Sequence, residues 1–211
     1  MNIKIFVFNA FMVNCYLLWD ATGEAIIVDA ACYDGKEQKQ LADFIAKNNL
    51  KLVRNINTHC HIDHILGNGF IERTYGIRPE YHKDGDPFFH TAKEIGLSFG
   101  YKLDTIPEPK GYLEDGDTVR FGNSELKVLF TPGHAAGHIC LYSEKDGLVL
   151  TGDVLFRETI GRTDLPSGDF DLLMNSIKTK LFTLPPETVV WPGHGPETEI
   201  DHEARNNPFI R

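Results

Sequence analysis

Thr58-His59-Cys60-His61-Ile62-Asp63-His64 places three imidazoles and a carboxylate within six residues. It follows Leu52 to Ile56, a short apolar run that reads as a strand. His59 and His61 are two apart, so at the end of an extended segment both rings face the same side. Asp63 and His64 are expected in a turn that bends back over the same space. Imidazole nitrogen and carboxylate oxygen suit zinc, iron or manganese. A helical HExxH site would space its histidines four apart instead. Cys60 alternates away from its two neighbours and reads as a packing thiol.

Three later stretches share one form, a short apolar strand ending in a polar residue flanked by glycine. They are Val128-Leu129-Phe130-Thr131-Pro132-Gly133-His134, Leu148-Val149-Leu150-Thr151-Gly152-Asp153 and Val189-Val190-Trp191-Pro192-Gly193-His194-Gly195. Glycine at such strand ends allows a sharp turn and close backbone approach. Each strand is therefore expected to deliver one ligand to a common rim, where scaffolds usually mount functional residues. His138, four residues after His134, reads as a structural group hydrogen-bonded near the site. His82, His90 and His202 lack metal spacing and read as surface or core residues.

Further strands are expected at Ile3 to Phe8, Asn14 to Trp19, Ala25 to Asp29, Thr118 to Phe121, Glu125 to Phe130 and His138 to Tyr142. Gly122-Asn123 and Asp146-Gly147 read as hairpin turns. Helices are expected over Gly35 to Asn48, Asp169 to Leu181 and Glu197 to Arg205, with residues 65–108 the least regular part. Strands and then a helix, twice over, predict an α/β fold of two packed sheets with helices outside, in one domain over residues 1–211.

The 211 residues are 42% hydrophobic and 24% charged, which suits a packed core and argues against disorder. A net charge of −9 without a basic cluster argues against a nucleic-acid partner. It leaves room for a small anionic substrate held by one local arginine or lysine. The four cysteines, Cys15, Cys32, Cys60 and Cys140, show no CxxC pairing and read as free thiols in a reducing compartment. With neither a signal peptide nor a membrane span legible, a soluble cytoplasmic protein is expected.

His59, His61, Asp63, His64, His134, Asp153 and His194 resemble, in order and type, the full ligand set of the metallo-β-lactamase superfamily. The resemblance covers nearly the whole chain and is nearest to the short, single-domain, glyoxalase II-like (hydroxyacylglutathione hydrolase-like) branch. It implies a four-layer αββα sandwich and two divalent metal ions, with zinc expected and iron or manganese compatible. By that resemblance His59, His61 and His134 hold one ion, Asp63, His64 and His194 the other, and Asp153 bridges both. Two ions about 3.5–4 Å apart can share a water and lower its pKa towards neutrality. The implied activity is hydrolysis of a small-molecule thioester such as an S-acylglutathione by the bridging hydroxide, with Asp63 also orienting it or accepting its proton.

Arg162, nine residues after Asp153, stands where glyoxalase II has a basic residue that contacts glutathione, so it resembles a substrate carboxylate clamp. The alternative for Arg162 is an ion pair with Asp164 or Asp169. Glyoxalase II carries a helical C-terminal domain after its last histidine ligand. Here 17 residues follow His194, so a smaller or less selective thioester is an equal expectation. Persulfide dioxygenases are also similar, including the Gly161-Arg162-Thr163-Asp164 element, and use one iron through a subset of these ligands. A lactonase or other ester hydrolase is a further alternative. A secreted β-lactamase, a ribonuclease and a metal-binding module without turnover are each less favoured, and no oligomeric state is legible.

Overall fold

The computed structural model describes residues 1–210. The first sheet begins with an antiparallel run of β1 (Asn2–Phe8), β2 (Val13–Trp19) and β3 (Glu24–Val28). A helix, α1 (Gly35–Lys47), then crosses over to β4 (Lys51–Ile56), which lies parallel to β3. Asp34 starts α1 by accepting from the backbone N–H groups of Lys36 and Glu37, and Leu41 and Ile45 form its buried face. After α2 (Ile62–Ile65) and α3 (Asn68–Tyr75), the short parallel strand β5 (Pro79–Tyr81) extends the sheet. Helix α4 (Asp86–Ser98) precedes β6 (Gly111–Tyr112), which completes it.

The second half repeats this plan. Strands β7 (Thr118–Phe121), β8 (Ser124–Phe130), β9 (Ile139–Ser143) and β10 (Leu148–Gly152) form an antiparallel run. A small hairpin, β11 (Leu155–Phe156) and β12 (Thr159–Ile160), leads to α5 (Phe170–Ser176). The chain then returns as β13 (Val189–Pro192), parallel to β10, followed by β14 (Thr198–Glu199) and α6 (Ile200–Asn206). Gly122 takes φ +51° in the two-residue β7–β8 turn, as the sequence suggests for a tight hairpin.

Strand alternation sets the layers. Cys15 and Leu17 of β2, with Ala25 and Ile27 of β3, pack outwards with Leu41 and Ile45 of α1. Tyr16, Leu18, Ile26 and Val28 face inwards and meet Val128, Ile139, Leu141 and Leu150 of the second sheet. On the far side Cys140, Tyr142 and Val149 pack with Leu173, Ile177 and Leu181, in and just after α5, and with Ile200 of α6. The result is the four-layer αββα sandwich. Because both faces of the central strands are covered, they read as continuous apolar runs.

The structure corrects three local expectations. Asp63 and His64 lie on one turn of helix, α2, instead of in a loop. The stretch from Asp169 splits: Asp169 caps α5, which gives way to a wide π-type turn over Ile177–Leu181. Thr198 and Glu199 pair with β13 before the last helix begins at Ile200, because that edge offers unpaired backbone groups. Among the described residues no helix is long and apolar enough to cross a membrane. Ile26→Ala, at a fully buried position between the sheets, is expected to cost about 2–5 kcal/mol in urea unfolding.

Candidate metal centre

Strand ends from both sheets bring the polar residues to one rim. His59 and His61 follow β4 through Asn57 and Thr58, and Asp63 and His64 sit on α2. His134, Asp153 and His194 follow β8, β10 and β13. Gly152, at φ +47°, must be glycine, because a Cβ there would stand 2.6 Å from His138 Nε2 and Thr58 Oγ1. At Gly193 a Cβ would collide with Asp153 Oδ1. The backbone therefore comes close enough to press these side chains together.

All seven residues singled out as ligands converge. Nδ1 of His61 lies 3.1 Å from Nε2 of His59 and 2.9 Å from Nε2 of His134. Asp63, His64 and His194 form a second group, with Asp63 Oδ2 at 3.5 Å from His64 Nε2 and 3.4 Å from His194 Nε2. Asp153 faces both groups. Its Oδ1 is 3.4 Å from His64 Nε2, and its Oδ2 is 3.6 Å from His134 Nε2 and 3.5 Å from His194 Nε2.

The outward nitrogens fix which atoms face inwards. His134 Nδ1–H donates to the Arg162 carbonyl at 2.8 Å, and His194 Nδ1–H to the Phe11 carbonyl at 2.9 Å. His64 Nδ1–H donates to Asp29 Oδ2 at 3.0 Å. The Thr58 hydroxyl donates to Asp29 Oδ2 at 2.7 Å and so accepts from His59 Nδ1–H at 3.1 Å. In all four rings Nδ1–H is directed outwards and Nε2 is turned to the site, the arrangement that outer hydrogen bonds impose on metal-binding histidines. The structure tests this fit directly: His64 Nε2 and Asp153 Oδ1 are buried inside the cluster without a hydrogen-bond partner. Left alone such atoms carry a desolvation penalty, which a cation between them removes.

Burial pushes the His59 and His134 imidazoles below the usual histidine range and takes His61 down to about 4, helped by its histidine neighbours. Burial opposes charge on His64 and His194 as well. There the Asp153 and Asp63 carboxylates prevail, raising His64 well above the usual range and His194 to about 9. Burial would raise the Asp63 and Asp153 carboxyls, yet the same histidines hold both below the ordinary carboxylate range.

Asp29 escaped sequence reasoning. Buried, at φ +53°, it accepts from the Thr58 N–H at 2.7 Å as well as from Thr58 Oγ1 and His64, so one carboxylate orients a ring in each group. The available signal was a lone acid closing the apolar run Ala25-Ile26-Ile27-Val28. Asn9 also went unread; its Nδ2 donates to the Asp63 carbonyl at 3.0 Å. His138 accepts the Asp153 N–H at Nε2 (3.1 Å), so its Nδ1–H points to Thr131 Oγ1 at 3.1 Å; it positions Asp153 and stays outside both groups. Cys60 is buried beside Gly85, and burial raises its thiol well above the ordinary range. Arg162 lines the pocket over the site, with its guanidinium held by Asp164 at 2.7 Å through both Nε and Nη2. A larger groove of about 1010 Å³ includes none of the seven and is lined by mixed charges such as Lys127, Glu125 and Lys180.

A family model described as the metallo-beta-lactamase superfamily matches residues 8–194. The chain is 34% identical over 212 residues to the hydroxyacylglutathione hydrolase GloC of Haemophilus influenzae, covering 100% of this chain and 98% of that protein. The crystal structure of BLEG-1 B3 metallo-beta-lactamase is similar at a TM-score of 0.87 and 30% identity, with 99% of each chain covered. The crystal structure of TTHA1623 in a di-iron-bound form is similar at a TM-score of 0.87 and 32% identity, covering 98% of this chain and 99% of that one.

Asp29→Asn is expected to weaken metal affinity about 10–100-fold without removing a ligand, as read by competition with a chromophoric chelator. In the chelator-treated chain at pH 7, His64 and His194 carry protons that a bound cation must displace. Loading should therefore release protons, and affinity should rise with pH through the His194 titration near about 9. Calorimetry in two buffers of unlike ionisation heat measures that release; equal heats in both would contradict it.

Proposed function

This chain belongs to the metallo-beta-lactamase superfamily, and from that premise we propose that it is a dinuclear metal-dependent hydrolase cleaving a small thioester such as an S-acylglutathione. The carrying observation is the convergence of seven side chains able to ligate: His59, His61 and His134 in one group, Asp63, His64 and His194 in another, and Asp153 grouped with His59 and His64 and 3.6 Å or less from His134 and His194. In this reading His59, His61 and His134 would hold one ion and Asp63, His64 and His194 the second, with Asp153 placed to serve both. Ions bound there supply a water nucleophile at neutral pH and a Lewis acid for the acyl oxygen. Zinc suits the nitrogen and oxygen donor set, and the di-iron-bound form of a similar protein supports iron as an alternative.

The protein's own part is positioning and electrostatics. Asp63, held ionised by His64 and His194, can orient a water and take its proton. Asp153 must also stay ionised to serve both groups with its two oxygens. Beside them lies a pocket of about 420 Å³ lined by Phe156, Ile160 and Pro196, apolar surface that can receive an acyl group and exclude water from it. The thioester choice is supported by the Haemophilus influenzae relative, which matches this chain from end to end.

Metal analysis of the purified chain is expected to find close to two divalent ions, with turnover of S-lactoylglutathione. Asp153→Ala should reduce that turnover about a thousand-fold, the rate equivalent of about 4 kcal/mol. One iron per chain, no thioester cleavage and oxygen uptake with glutathione persulfide would replace this reading with the dioxygenase one.

A further inference from the structure

The pocket beside the metal groups holds two cationic side chains, Arg157 and Arg162, and they are not equivalent. The Nε–Nη2 edge of the Arg162 guanidinium is occupied by Asp164, two residues away on the same loop, which offsets its charge. Arg162 also serves the site through its backbone, whose carbonyl receives the His134 Nδ1–H. Arg157 has no carboxylate partner among the described residues and also lines the pocket.

Arg157 stands at the tip of the β11–β12 hairpin, a two-residue turn in which Glu158 takes φ +58°. That turn is tied down from behind. Glu203 of α6, fully buried, accepts the Glu158 N–H at 3.0 Å, the Thr198 hydroxyl at 2.6 Å and Asn207 Nδ2 at 2.7 Å. Asn207 Nδ2 also donates to the Thr159 carbonyl at 3.1 Å, and His202 pairs with the Glu158 carboxylate at 3.1 Å. A hairpin tip anchored by a buried carboxylate presents Arg157 from a fixed base. Arg157 is exposed at this tip, and the neighbouring pocket wall is apolar through Phe156 and Ile160. On a chain of net charge −9, an anionic substrate needs such a local cation.

We propose that Arg157 selects substrates carrying a carboxylate remote from the scissile bond, and that Arg162 instead fixes the loop under His134. The proposal rests on the hydrolase reading only in placing the scissile acyl group beside His134, Asp153 and His194. The guanidinium's planar fork matches a carboxylate through two parallel N–H donors.

The test uses the metal-loaded protein and two matched probes, S-lactoylglutathione with its free carboxylates and the diethyl ester of the same compound. The ratio of kcat/KM for acid over diester should fall about tenfold in Arg157→Ala, chiefly through KM, and recover in part in Arg157→Lys. Arg162→Ala should leave that ratio as it is. Calorimetric binding of S-methylglutathione, a thioether that cannot be cleaved, should weaken by a similar factor in Arg157→Ala. An unchanged ratio together with unchanged S-methylglutathione binding would overturn the proposal. If the unaltered protein cleaves neither probe while Arg157→Ala still weakens binding, the hydrolase reading falls and the anion subsite stands. If it neither cleaves the probes nor binds the thioether, both fall.

Discussion

His59 and His134, each with Nδ1 engaged in a hydrogen bond, present Nε2 lone pairs at 3.1 and 2.9 Å from Nδ1 of His61, and a single proton on that nitrogen cannot serve both as a cation between the three would. The sandwich tolerates that arrangement at one rim because everything around it is over-determined. Glycines at Gly152 and Gly193 let the backbone close in, and partners from four different segments lock the outward faces of the rings. The hydrophobic layers supply stability, and the rim uses some of it to hold a half-satisfied polar cluster in place.

That cluster was legible because its chemistry is dense and its spacing regular. His59 and His61 fall on one side through strand alternation, and His134, Asp153 and His194 each end an apolar strand. The layers were legible too, since continuous apolar strands such as β2, β3 and β9 can exist only where both faces are covered. Short elements were not. Strands β5, β6 and β14 have two or three residues each, too few to show a period, and they exist only because a sheet edge recruits them. Asp29 was invisible for another reason: a buried carboxylate that orients other side chains has partners 29 and 35 residues away, and no local pattern announces it.

Arg162 and Arg157 show the limit of reasoning by position. A resemblance drew attention to Arg162, and the ion pair with Asp164 that the sequence offered as the alternative is the one the structure holds, while nothing in the sequence singled out Arg157. The difference arises from hairpin geometry and from Glu203 and Asn207, whose burial follows from α6 packing down on the second sheet. The last helix thus takes part in shaping the pocket from behind.

The ligands are divided unequally between the two halves, four before residue 65 and three after residue 133. Seventy positions separate His64 from His134, and a ribosome adds residues at about 5–20 per second. For several seconds of each synthesis the nascent chain exposes an incomplete chelating motif with no partner sheet to close over it. The four early donors alone complete no group, since each group also needs His134, Asp153 or His194 from the second half. Docking of the two halves, and not the early motif, is therefore the step that creates the site.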